Sequence, residues 1–119
     1  MHMVDWNNYR HQLLSGVGEL SKLSPDTVRG YVTISGADPK TRRFDDKTRE
    51  LMAVAVAITL RCDGCITVHT EAARQLGASD AELAEAMGVA VMVNAGAAIV
   101  YATRALDAFH AEEEASAGN

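Results

Sequence analysis

The chain contains two cysteines, Cys62 and Cys65, three positions apart; His69 follows four positions later, and Glu50 stands twelve positions before Cys62. If a helix begins at or just before Cys62, steps of three and four place Cys62, Cys65 and His69 on one face. A thiol at a helix N-terminus meets the positive end of the dipole and unpaired backbone N–H groups, which favour thiolate, and Cys62 occupies that place. His69, one turn beyond Cys65, is positioned to exchange a proton with that sulfur directly or through one water. Along one straight helix Glu50 would lie about 18 Å from Cys62. A sharp turn at Arg61 to Gly64 instead folds two helices together and brings Glu50 to His69, where a carboxylate orients an imidazole or relays its proton. The spacing alone fits three chemistries: a redox dithiol, a metal site built from Cys62, Cys65, His69 and Glu50, or inert cysteines. A zinc site more often recruits a second Cys or His pair. A disulfide across so small a loop would constrain the unfolded chain little, so in a reducing cytoplasm the pair points to redox chemistry or metal.

The elements that must position these groups read as helices. Tyr9, Leu13, Leu14, Val17 and Leu20 recur at helical spacing and predict a first helix from about Asp5 to Leu23, weakened by Gly16 and Gly18. Ser24 followed by Pro25 is an N-cap with proline at the first helical position, opening a short second helix to about Ile34. Ser35, Gly36, Asp38 and Pro39 end it, and the connection to Arg43, with Lys40, Arg42 and Arg43, reads as a solvated basic loop. Asp45 or Asp46 caps a third, central helix through Leu60, apolar on most of its circumference. After the Arg61–Gly64 turn a helix runs through Gln75 and stops at Gly77. Ser79 and Glu82 form a capping-box pattern that opens the next helix into the small-residue segment Met87–Ala98. A last helix ends near His110, leaving 111–119 as a frayed acidic tail. The expectation is an all-α domain of about six helices.

At 119 residues and 48% hydrophobic content, the chain suits one domain, 1–119, with a single core. Aromatics make up only 5%; Ala, Val, Leu and Met carry the apolar content, as in packed helices. The net charge of −5 is spread without a Lys/Arg cluster, so neither nucleic acid nor an anionic membrane surface is an expected partner. Polar residues from Asp5 to His11 break any export-signal pattern, so the expected location is cytoplasmic. Ala86–Ala102, interrupted by Asn94, Gly88 and Gly96, falls short of a membrane span and reads as a buried helix. Gly88, Ala90, Ala95, Gly96, Ala97 and Ala98 serve either close packing within the monomer or a subunit interface. Trp6 and Tyr9 read as core anchors; His2, His11 and His110 read as surface or packing residues. Arg61 either favours the Cys62 thiolate or forms a surface ion pair.

The pattern of Glu50, eleven residues, Cys62, two residues, Cys65, three residues and His69 resembles the active site of the alkylhydroperoxidase D-like branch of the carboxymuconolactone decarboxylase family. The resemblance extends over Phe44 to Val93, through FDDKTRELMAVAVAITLRCDGCITVHTEAARQLGASDAELAEAMGVAVMV. It implies an all-α homo-oligomer, a trimer or hexamer, that binds no cofactor and whose dithiol cycles to a Cys62–Cys65 disulfide. The implied activity is thiol-disulfide oxidoreduction with hydroperoxide reduction. The substrate would be a small peroxide or a protein disulfide, and the reductant a lipoyl-bearing or thioredoxin-like partner. By the same analogy Cys65 attacks and Cys62 resolves, whereas the helix-end argument favours Cys62 as the more acidic thiol. Two departures stand out: Gly64 occupies the place where the best-known peroxidase members carry histidine, and those members are longer. The competing readings are a decarboxylase-type lyase, a branch that generally lacks the dithiol, and a non-catalytic oligomeric module suggested by the small-residue helix.

Overall fold

The computed structural model of the protein describes residues 2–36 and 39–118. The expected turn residue Asp38 and the last residue of the acidic tail, Asn119, lie outside the described residues. The architecture is all-helical: α1 (Trp6–Leu23), α2 (Pro25–Ser35), α3 (Asp46–Leu60), α4 (Asp63–Gln75) and α5 (Asp80–Ala117), with a short 3-10 turn at Pro39–Thr41.

Local side-chain chemistry sets the helix starts. The Asp5 carboxylate accepts from the Asn8 N–H at 3.1 Å to begin α1, and Pro25 opens α2. Of the two candidate caps for α3, Asp45 does the capping, accepting from the Thr48 N–H at 2.7 Å. Those Thr48 hydrogen bonds hold the Asp45 carboxyl below its ordinary range. Ser79 and Glu82 form the expected capping box at the start of α5.

The stops are equally local. Arg61 adopts a left-handed conformation at φ 54°. The Cys62 N–H bonds to the Ala57 carbonyl and the Arg61 N–H to the Ile58 carbonyl, the paired reverse bonds of a Schellman ending. Gly77, at φ 86°, ends α4 with the same pattern through Ala78 to Ala73 and Gly77 to Arg74. A left-handed backbone suits glycine, while at Arg61 it carries a steric cost of about 1–2 kcal/mol.

The helix count corrects the sequence reading. There are five α-helices among the described residues, because α5 runs unbroken for 38 residues through the glycines and past His110 to Ala117. Gly88 and Gly96 each weaken a helix by about 1 kcal/mol, yet neither breaks this one.

Helix α3 packs against α4 and α5, and α1 packs against α2 and α4, while α2 leaves a gap to α3. The core is small: Val54 and Ala57 of α3, Thr67 and Ala73 of α4, and Ala90 of α5 are the buried residues among those described. Lys47 of α3 and Glu82 of α5 form an ion pair at 2.8 Å. Each partner stabilises the charged form of the other, so Glu82 titrates below and Lys47 above its ordinary value. The bridge therefore holds at neutral pH and is released either as acid protonates Glu82 or as strong base neutralises Lys47.

Beyond Ala90 the Asn94 amide still donates to the Thr59 hydroxyl of α3 at 2.9 Å, but Val91, Met92, Val93, Ile99, Val100, Tyr101, Leu106 and Phe109 are exposed. The apolar composition suggests a buried segment; within one chain it is bare. By length and composition α5 is long and apolar enough to cross a membrane, contrary to the expectation drawn from its interrupted sequence.

Candidate functional site

The Arg61 turn reverses the chain so that α3 and α4 lie side by side, and it places Cys62 as the N-cap of α4. The Cys62 sulfur accepts the Cys65 backbone N–H at 3.2 Å, the helix-end contact expected to favour its thiolate. Cys62 and Cys65 are joined by a disulfide with their Cα atoms 5.2 Å apart, and both are half-buried. One turn along α4, His69 Nδ1–H donates to Glu50 Oε2 of α3 at 2.7 Å. The side chains of His69 and Glu50 are 29% and 27% exposed, so the pair is neither sealed in the core nor fully solvated. With Nδ1 engaged by Glu50, the ring offers Nε2 to a reacting group.

All four residues singled out in the sequence thus lie along the α3–α4 hairpin: the cysteines bonded to each other, and Glu50 to His69. Among the described residues, no group of three or more His, Cys, Asp and Glu side chains is arranged to hold a metal ion. His2, His11 and His110 are exposed and remote in sequence from the hairpin, the last lying edge-on to Phe109. Trp6 and Tyr9 are half-buried and pack edge-to-face at 6.4 Å.

Two features of the site escaped the sequence reading. The first is Leu13 of α1, which lies over Gly64: a β-carbon there would meet Leu13 Cδ2 at 3.0 Å. The absence of histidine before the second cysteine therefore has a packing counterpart, since Leu13 occupies the space. Only the helical period of α1 could have hinted at this contact, and that period does not say which helix it faces. The second is a groove of about 510 Å³ in the gap between α2 and α3, into which Glu50 and His69 open together with Arg42 and Arg49. The polar connection around Arg42 suggests a solvated loop; instead Arg42 Nη1 bonds Asp46 at 3.2 Å and its side chain lines the groove.

Comparison with known proteins fits this arrangement. Residues 25–108 match the carboxymuconolactone decarboxylase family. An uncharacterised protein of Haemophilus influenzae is 41% identical over 110 residues, covering 92% of this chain and 97% of that protein. Uncharacterised protein 4 in the cox locus of Paracoccus denitrificans is 34% identical over 92 residues, covering 77% and 83%. Among solved structures, a carboxymuconolactone decarboxylase family protein from Legionella pneumophila superposes with a TM-score of 0.70 at 31% identity, over 88% of this chain and 94% of that one. A protein from Methanobacterium thermoautotrophicum gives a TM-score of 0.64 at 28% identity, over 71% and 94%. With its helices, its hairpin and most of its length matched, this chain belongs to the carboxymuconolactone decarboxylase family.

Proposed function

We propose that the protein is a cytoplasmic thiol-disulfide oxidoreductase that reduces a hydroperoxide or a partner's disulfide with Cys62 and Cys65. The observation that carries this reading is the 2.7 Å Glu50–His69 hydrogen bond on the helix whose first turn holds the Cys62–Cys65 disulfide. In the reduced protein His69, steadied by Glu50, takes the Cys65 proton, and the thiolate attacks the outer peroxide oxygen. The O–O bond breaks, the alcohol leaves with the proton from His69, and Cys65 becomes a sulfenic acid. The Cys62 thiolate, favoured by the Cys65 N–H, attacks that sulfur, and hydroxide departs as water with the proton released by Cys62. Two thiols and one hydroperoxide thus yield a disulfide, an alcohol and water. A lipoyl-bearing or thioredoxin-like dithiol then reduces the disulfide by two exchange steps. Sulfur carries the electrons, so the scheme uses no bound cofactor.

The working form in this proposal is a homotrimer or homohexamer. Support comes from the bare apolar length of α5 and from Gly88 and Gly96, where an added β-carbon would meet nothing within 4 Å. Packing inside one chain does not require those glycines.

Peroxide turnover by the pre-reduced protein tests the scheme. Glu50→Gln and His69→Gln should each lose roughly 10- to 1000-fold, the scale of one proton-handling group, and the double variant should fall little further. Full activity in a folded Glu50→Gln protein would remove Glu50 from the reaction. Cys62→Ser with Cys65→Ser separates the alternatives. Retained decarboxylation would favour the lyase chemistry named in the family description, and intact assembly with no activity in either protein would favour a structural module.

A further inference from the structure

We propose that the groove between α2 and α3 is a binding site for the carboxylate of a partly apolar substrate, held by Arg49 and Arg42. The inference rests on the dithiol reading for its reaction but not for its binding. Its volume of about 510 Å³ suits a small organic molecule. Among the charged side chains lining it, Arg42 is paired with Asp46 and Glu50 with His69. Arg49, half-buried, has no side-chain partner among the described residues. The Arg42 Nε is buried and, among the described residues, also lacks a hydrogen-bond partner. A buried donor left without a partner is rare and calls for an explanation. Together the two guanidinium groups offer N–H donors, and a carboxylate, planar with two acceptor oxygens, matches a guanidinium edge. Asp46 and Glu50 on the same lining would repel a dianion, so a monoanionic carboxylate fits better than a phosphate. Tyr31, Ile34 and Leu76 supply apolar wall, which suits a hydrocarbon or aromatic body. Neither cysteine lines the groove; His69 does, one turn along α4 from Cys65, so a molecule anchored on Arg49 would have to reach past His69 to meet the sulfur. The substrate class is then an organic acid that also carries the peroxide or disulfide.

The test compares two aromatic disulfides as oxidants of the reduced protein: dithiobis(nitrobenzoate), with a carboxylate on each ring, and neutral dithiodipyridine. Arg49→Gln and Arg42→Gln should each slow the carboxylate probe roughly 10- to 100-fold, the effect of losing a charged hydrogen bond, with the neutral probe changed by less than about twofold. Arg74→Gln, an exposed cation already paired with Glu71, should alter neither. A second arm measures calorimetric binding of decanoate to the Cys62→Ser, Cys65→Ser protein, with and without Arg49→Gln. Binding that Arg49→Gln abolishes supports the site even where neither probe reacts. Equal slowing with both probes, absence of decanoate binding, or a change of assembly state as the sole effect of the arginine variants would overturn it. Reaction with neither probe would instead defeat the dithiol reading and leave the decanoate arm to decide the groove.

Discussion

At the scale of single residues, Gly64 and Leu13 form a matched pair beside the dithiol. A β-carbon at 64 would press on the end of a flexible leucine, so Gly64→Ala is expected to fold normally after a small shift of Leu13. Gly64→His asks for far more space and should cost about 1–3 kcal/mol by overpacking. Adding Leu13→Ala should return much of that loss. Thermal melts of the single and double variants decide the matter, and a Gly64→His protein as stable as the parent would show that Leu13 does not hold that space. The pair also marks a limit of sequence reading. Cys62, Cys65, His69 and Glu50 were legible because helical spacing and one turn relate them. Leu13 and Gly64 are 51 positions apart, and no local pattern joins them. Arg49 was invisible for a related reason: a lone arginine on a helix looks solvated until the neighbouring wall, here α2, is in place.

At the scale of elements, a buried hydroxyl ties α1 to α4 beside the Leu13 contact over Gly64 and the Arg10–Glu71 ion pair. Thr67 is 2% exposed; its hydroxyl donates to the Trp6 carbonyl at 3.2 Å and accepts from Arg10 Nη1 at 3.4 Å. Thr67→Val keeps the shape and removes both bonds, so a loss of about 1–3 kcal/mol is expected from the unpaired groups. Denaturant titration at fixed protein concentration measures it, and an unchanged midpoint would mean that water or apolar packing replaces the hydroxyl. Helix starts were readable because the caps are chemical: Asp5, Asp45 and Ser79 each accept a backbone N–H three residues on. The left-handed stop at Gly77 was readable for the same reason. The length of α5 was not, since interior glycines lower helix propensity without forbidding a helix whose stability comes from packing.

At the scale of the whole molecule, the isolated chain is too open for its size. Its radius of gyration is 20.4 Å, against about 13–14 Å for a compact domain of this length. Its accessible surface is 9446 Å², against roughly 6,200 Å² for a folded monomer of this mass. The excess, about 3,200 Å², is several times one partner's share of an ordinary protein interface, about 800 Å². One interface of ordinary size would leave most of it uncovered. Light scattering at micromolar concentration should therefore give a trimer or hexamer, and Val93→Glu or Ile99→Glu should break the assembly and unfold or aggregate the chain. A compact, stable monomer would refute this, and a protein soluble only in detergent would point to lipid against α5. The placement of the site along the chain has a further consequence. Glu50 and His69 are separated by 19 positions, and both cysteines fall between them. The reacting geometry thus has low contact order and is closed by a short loop, the kind of contact that forms early in folding. Changes in α1, α2 or α5 should accordingly alter access to the sulfur and any assembly of copies well before they disturb the hairpin proposed to carry the chemistry.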